Sequence, residues 1–130
     1  MRKLLSVGIV ALLAFIVVGC SGNVMSSNWS NNNLENELVG RSWTITADSV
    51  NGYATYKTTF NDENLSSMHV ENTNSSGEVA IVIIQDDLER SFDVTGKFSG
   101  DLDLSEFSPG PIQIRPSFAK ANDVNLKLTW

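Results

Sequence analysis

Apolar and polar residues alternate along most of the chain beyond residue 41. The alternation begins at Trp43, Ile45 and Ala47 and returns in its last stretch, 124–130. Side chains of a β-strand point to opposite faces at successive residues, whereas the apolar face of a helix recurs every three to four residues. The alternating segments are 42–47, 54–60, 67–71, 88–95, 101–105, 112–115 and 124–130. This pattern predicts a chain of short strands.

The segment Val79–Ile84 breaks the alternation because it is apolar at every position. Such a run is typical of a strand that is covered on both faces, or of one whose outer face binds a partner. With this segment the sequence predicts about eight strands.

Residues that favour turns separate the predicted strands. Asn51-Gly52 is typical of a two-residue β-hairpin, and similar turn residues recur at 61–64, 72–77, 86–87, 96–97, 109–111 and 119–122. Short connections favour pairing of consecutive strands, and closure of the sheet hides its edges. We therefore predict an all-β fold, a small antiparallel up-and-down barrel of about eight strands. The only helical signal is Leu34–Leu38, with Asn33 as its N-cap.

The N-terminus has the pattern of an export signal. Met1–Lys3 is basic, Leu4–Val18 is apolar, and small residues precede Cys20, which is the only cysteine. The apolar run of 15 residues is shorter than the roughly 20 that a spanning helix needs. The segment resembles the lipobox of bacterial lipoproteins, which implies cleavage before Cys20, lipidation of its thiol and attachment to a membrane. An uncleaved short membrane helix is the alternative.

The same resemblance predicts location and domain organisation. Ser21 follows Cys20 at the position where aspartate retains lipoproteins in the inner membrane of Gram-negative cells, so in such a cell the resemblance implies an outer-membrane protein facing the periplasm or the surface. In a Gram-positive cell the same motif implies the outer face of the only membrane. The residues after Cys20 are polar and small, as in a flexible tether. We predict a signal peptide over 1–19, a lipidated tether over 20–33 and a β-domain over 34–130.

Four segments resemble the lipocalin-like domains of bacterial lipoproteins: 38–43, 56–62, 92–96 and 126–128. The resemblance implies a small barrel that binds a hydrophobic ligand. Two residues separate Gly40 from Trp43, whereas typical lipocalins have one. In that spacing the chain is also similar to META-like domains.

The composition limits the kinds of partner and ligand that the protein can bind. The chain carries 9 basic and 15 acidic residues, a formal net charge of −6, and loss of residues 1–19 would remove Arg2 and Lys3. Because nucleic-acid phosphates require Lys and Arg, we predict no nucleic-acid partner. With Cys20 lipidated, no thiol remains for a disulfide or a metal. We predict neither a metal nor a cofactor.

The candidate catalytic groups are sparse. His69 is the only histidine, and no serine lies in a Gly-x-Ser-x-Gly turn. Asp101 and Asp103 share a strand face and are either solvated, a calcium site or an acid–base pair. We predict that the protein is not an enzyme.

Aromatic residues on the predicted inner faces form the candidate ligand site. Trp43, Tyr56, Phe60 and Phe92 either fill the interior or line a cup for one apolar ligand. Arg90 is the one charge within an apolar face, where it meets an anionic ligand group, pairs with a carboxylate, or packs its stem with its head in water. We expect a non-catalytic binding domain for a small hydrophobic ligand. The alternative is a protein-interaction module with a filled core, such as an envelope assembly factor, an inhibitor or a surface-exclusion lipoprotein.

Overall fold

The computed structural model describes residues 24–130, which form eight strands and one short helix. In chain order these are β1 Val24–Asn32, β2 Glu35–Val39, β3 Ser42–Phe60, α1 Asp62–Ser67, β4 His69–Thr73, β5 Ser76–Gln85, β6 Leu88–Asp93, β7 Phe98–Asp101 and β8 Gly110–Thr129. The predicted signal peptide and the lipidation of Cys20 fall outside the described residues. Within them no helix is long and apolar enough to cross a membrane.

Two long strands form the centre of the sheet. β3 and β8 pair antiparallel from Ser42 opposite Thr129 to Phe60 opposite Gly110. β1 and β2 pair with the other edge of β3, and β4 and β5 pair with the other edge of β8. β6 continues the sheet beyond β5, and β7 continues it beyond β4.

The prediction of an all-β, antiparallel fold with about eight strands is confirmed. The sheet is not closed, however, and its strand order is not the sequential order of an up-and-down barrel. The reason is that β3 and β8 pair with each other although residues 61–109 lie between them in the sequence. The outer edges of β1, β2, β6 and β7 therefore have no ladder partner within residues 24–130.

The sheet bends sharply across its middle. Trp43 and Tyr56 lie 13 positions apart on β3, which would span about 43 Å in an extended strand, yet their ring centroids are 6.1 Å apart. The register of β3 shifts between Val50 and Gly52, and β8 has positive φ at Lys120 and Asp123. The bend divides the sheet into two halves whose inner faces pack together. We name them the β1–β5–β6 half and the β2–β4–β7 half, after the strands that flank the central pair.

The core lies between these two halves. Its side chains follow the period-two pattern predicted from sequence, since Trp43, Ile45 and Ala47 are buried while their neighbours are not. Burial of each large apolar side chain stabilises the fold by about 1.5–3 kcal/mol. The largest fully buried side chains are Trp43, Ile45, Val50, Phe60, Met68, Val70, Ile81, Ile83, Leu104, Ile114, Leu126 and Leu128.

Several local predictions are wrong, among them the turn at 119–122, which lies within β8, and the strand over 101–105, of which only Asp101 belongs to a strand. Asn51-Gly52 is not a hairpin turn but part of β3, where Gly52 has a φ of +123°. A Cβ on Gly52 would lie 2.3 Å from the Asn28 carbonyl oxygen, so glycine is needed for the close approach of β1. The segment Leu34–Leu38 contributes to strand β2 rather than to a helix.

The predicted flexible tether over 20–33 is also wrong for the part that the structure describes, because Val24–Asn32 forms β1. Pairing with β3 satisfies the backbone of this polar segment. Met25 and Trp29 pack half-buried against the core, and the Trp29 ring centroid lies 6.1 Å from that of Phe118. A period-two face of only two large apolar side chains is therefore enough to hold this edge strand.

Candidate functional site

Three of the five residues predicted to bind ligand are buried in the core. The exposed fractions of Trp43, Tyr56 and Phe60 are 0%, 7% and 1%. Tyr56 lies with its ring centroid 6.1 Å from that of Trp43 and 6.0 Å from that of Trp130. Phe60 stacks on Trp130 with centroids 6.1 Å apart. These rings therefore fill the space between the two halves with contacts to one another.

The other two predicted ligand residues lie on the edge strand β6. Phe92 is half-buried opposite Ile81. Arg90 forms a salt bridge through its Nε with the Glu106 carboxylate, and its Nη1 donates to the Glu89 carbonyl oxygen at 2.9 Å. Of the alternatives for Arg90, the structure has the pairing with a carboxylate.

The apolar segment Val79–Ile84 belongs to β5 and contributes apolar side chains to both faces of the sheet. Val79, Ile81 and Ile83 are buried in the core, so the inner one of the two faces predicted to be covered is covered. Val82 and Ile84 point to the outer face and are half-buried. The outer face of this strand is thus apolar and only partly covered.

Arg115 lies on that same outer face. Its guanidinium carbon is 4.9 Å from the ring centroid of Tyr53, and its Nε donates a hydrogen bond of 3.1 Å to Thr55 Oγ1. Val82 is its direct neighbour on β5. We call the surface formed by Tyr53, Thr55, Val82, Ile84 and Arg115 the Arg115 face.

The charge of Arg115 is not neutralised by any carboxylate within residues 24–130, where the ion pairs involve Arg90 and His69. Stacking on Tyr53 and the hydrogen bond to Thr55 fix the orientation of the guanidinium group. Its terminal N–H groups make no hydrogen bond within residues 24–130. A guanidinium fixed in this way is prepared for a planar carboxylate. The sequence analysis missed this residue because Arg115 and Tyr53 meet only through the pairing of β3 with β8.

A separate polar cluster surrounds His69 on the outer face of the β2–β4–β7 half. His69 Nδ1 lies 2.7 Å from Asp101 Oδ1 and Nε2 lies 3.3 Å from Glu71 Oε2. The hydrogen bond to Asp101 is the main cause that raises the pKa of His69, and desolvation opposes it. The cluster is exposed, and no group of metal-ligating side chains among the described residues is arranged to hold an ion.

Asp101 and Asp103 do not act as a pair in this structure. Asp101 bonds to His69, whereas Asp103 accepts from the Ser105 backbone N–H at 3.0 Å. The Ser105 hydroxyl, followed by its backbone N–H, lowers the pKa of Asp103. Each carboxylate thus has its own local partner.

An open depression of about 350 Å³ lies at the bend. It is lined by Val50 and Asn51 of β3 and by Lys120–Asn122 of β8, together with Ser30 and Asn31. Its position at the surface distinguishes it from an enclosed cup for an apolar ligand.

No protein-family model matches the chain, and no curated protein matches its sequence.

Proposed function

We propose that this protein is an exported lipoprotein, anchored in the outer membrane through Cys20, whose β-domain binds another envelope protein. The anchor is supported by the basic start, the apolar run and the small residues before the only cysteine. The choice of a protein partner over a small hydrophobic ligand is carried by one observation, the mutual packing of Trp43, Tyr56, Phe60 and Trp130.

A hydrophobic carrier needs space among these rings. Protein interiors pack as densely as organic crystals, so a ligand of several carbon atoms enters only if side chains move apart. Aromatic pairs contribute about 0.5–1.5 kcal/mol each beyond the burial of their area. Opening the contacts between Trp43, Tyr56 and Trp130 would lose that stabilisation, and this favours a filled core.

The Arg115 face has the composition of a binding surface for protein. Tyrosine and arginine are enriched at the centres of protein interfaces, where they contribute most of the binding energy. Val82 and Ile84 add a partly exposed apolar border beside the guanidinium. Charge complementarity favours an envelope protein that presents a carboxylate next to apolar side chains.

The anchor is tested by Cys20→Ser. We expect this variant to lose palmitate labelling and to remain uncleaved as a precursor. Normal labelling and processing of the variant would overturn the lipoprotein assignment and would leave the interaction test unaffected.

The interaction is tested by capture of partners from envelope extracts with the wild-type protein and with Arg115→Ala. We expect a stoichiometric partner whose capture falls at least about tenfold in the variant. Lys97→Ala removes an exposed cation from a different surface and should retain full capture. Tyr53→Phe keeps the ring under the guanidinium and should retain most of it.

The carrier function makes the opposite prediction. Saturable quenching of tryptophan fluorescence by fatty acids, together with equal capture by wild type and Arg115→Ala, would overturn the interaction proposal. Unchanged fluorescence across a panel of hydrophobic molecules would support it.

A further inference from the structure

The outer edge of β1 differs from the other edges of the sheet. β1 pairs with β3 through nine consecutive residues without a register shift, and its other side has no partner within residues 24–130. Its sequence, Val-Met-Ser-Ser-Asn-Trp-Ser-Asn-Asn, contains neither a charged residue nor a proline. An edge of this kind is about 30 Å of unpaired backbone at 3.3 Å per residue.

The other free edges carry the features that prevent strand pairing. β2 contains Glu35 and Glu37, and β6 contains Glu89, Arg90 and Asp93. β7 has only four residues and ends at Asp101. Natural sheets protect their edges with charges, prolines, bulges or short strands. Among the described residues, β1 is the edge that has none of these.

We propose that β1 pairs antiparallel with β1 of a second copy of this chain. Residues 24–130 contain 7 basic and 15 acidic side chains, so two copies repel unless the surfaces in contact are uncharged. β1 satisfies this requirement, and its serine and asparagine side chains both donate and accept hydrogen bonds. The strand is therefore complementary to itself, which is the condition for a two-fold symmetric interface.

The pairing joins two sheets into one. Each β1–β5–β6 half presents five strands in the order β1, β3, β8, β5, β6, so the dimer has a continuous sheet of ten strands. The two-fold axis of an antiparallel pair is perpendicular to the sheet, so both Arg115 faces lie on the same side. The proposed dimer depends only on the properties of β1. The idea that the dimer presents two Arg115 faces to a partner rests on the proposed function.

The first test is the oligomeric state of the full chain in mild detergent, measured by sedimentation. We expect a monomer–dimer equilibrium in the wild type. Ser26 and Ser30 are exposed on the outer face of β1, and the double variant Ser26→Lys with Ser30→Lys should raise the dissociation constant at least about tenfold by like-charge repulsion across the strands. The corresponding glutamate variant should also be monomeric, and mixing the two variants should restore a dimer.

The second test locates the interface by cysteine cross-linking at Ser26, Asn28 and Ser30, one substitution at a time. In an antiparallel pair the distance between equivalent residues grows by about 6.6 Å for each residue away from the axis. A disulfide requires Cα atoms about 4.4–6.8 Å apart. We expect only the position at the axis to give a disulfide-linked dimer, because one residue away from the axis the Cα atoms are already about 8 Å apart. Wild type controls for Cys20, and Ser91→Cys on β6 controls for random collision.

The outcomes are decisive in both directions. A dimer that cross-links at β1 and dissociates in the lysine variant supports the proposal. A monomer at every concentration, cross-linking at Ser91 as strong as at β1, or a cross-linked product containing a different protein would overturn it. None of these results would alter capture of an envelope partner through Arg115, so the two proposals fail separately.

Discussion

Gly77 and Gly96 have the same backbone φ of +79° but different surroundings. A Cβ on Gly77 would lie 2.1 Å from the carbonyl oxygen of Lys120 and 2.5 Å from its carbonyl carbon, whereas nothing lies within 4 Å of a Cβ on Gly96. Alanine at each position therefore separates the cost of a positive φ from the cost of crowding where β5 meets the bend of β8.

The Gly96→Ala substitution incurs only the free-energy cost of placing alanine at a positive φ. A left-handed conformation costs an L-residue about 1–2 kcal/mol, and the smaller entropy of the unfolded chain offsets about 0.4–1 kcal/mol. We expect the free energy of unfolding to fall by about 1 kcal/mol. The bond of 2.7 Å from the Gly96 N–H to Asn74 Oδ1 is unaffected, since alanine keeps the donor.

Gly77→Ala adds the overlap with the Lys120 backbone. β5 must shift away from β8, which costs about 1–3 kcal/mol for overpacking and about 1 kcal/mol for a weakened ladder bond near Ser76 and Asn122. With the backbone term, we expect a loss of about 3–5 kcal/mol.

Urea unfolding of the full chain, followed by tryptophan fluorescence, gives both free energies. The loss for Gly77→Ala should exceed that for Gly96→Ala by at least about 2 kcal/mol. Equal losses would refute the inference that the close approach of β5 to the bend of β8 fixes the position of Gly77.

Three further predictions concern single side chains. His69→Gln should remove a pH dependence of the free energy of unfolding. Because the folded-state pKa of His69 is raised above 6.5, its ion pairs stabilise the fold fully below that pH, and this stabilisation is lost as the pH rises through the raised pKa. Urea midpoints of wild type and variant across that range would measure the difference. Phe60→Ala should lower the free energy of unfolding by about 3–5 kcal/mol, whereas Val39→Ala at an exposed site should change it by less than about 0.5 kcal/mol; similar values would contradict the filled core. Asn72→Ala removes buried hydrogen bonds, including one of 2.9 Å to the Val94 carbonyl oxygen, and should cost about 1–3 kcal/mol in the same assay; an unchanged midpoint would show that these bonds contribute nothing net.

The strands that alternate apolar and polar residues were predictable because burial on one face of a sheet enforces a period of two. The prediction placed Trp43–Ala47 and Ala54–Phe60 in separate strands because Asn51-Gly52 is a strong hairpin signal. In the structure the carbonyl oxygen of Asn28 on β1 lies close to Gly52. With this contact between distant segments, Asn51-Gly52 forms a bulge within one long strand instead of a hairpin turn.

β1 illustrates the opposite failure. Its segment is rich in serine and asparagine, which favour turns and linkers, and the sequence predicted a tether. Backbone pairing with β3 makes little demand on side chains, so the contacts of Met25 and Trp29 with the core suffice. The Arg115 face was beyond sequence reasoning for a related reason, since Arg115 meets Tyr53 and Val82 only through the pairing of β8 with β3 and β5.

The bend supports the proposal that partners bind to the outer surface of this domain. In the predicted barrel, Trp43 and Tyr56 lay on separate strands, where both side chains would face the interior and could border a cup. In the bent sheet they meet across the two halves, and Trp130 bridges Tyr56 and Phe60. The same bend leaves the β1–β5–β6 half with a broad outer face and an uncharged edge. The guanidinium of Arg115 and the unpaired backbone edge of β1 therefore lie on the same half of the sheet. Of the described strands, β1 is the one nearest in sequence to Cys20.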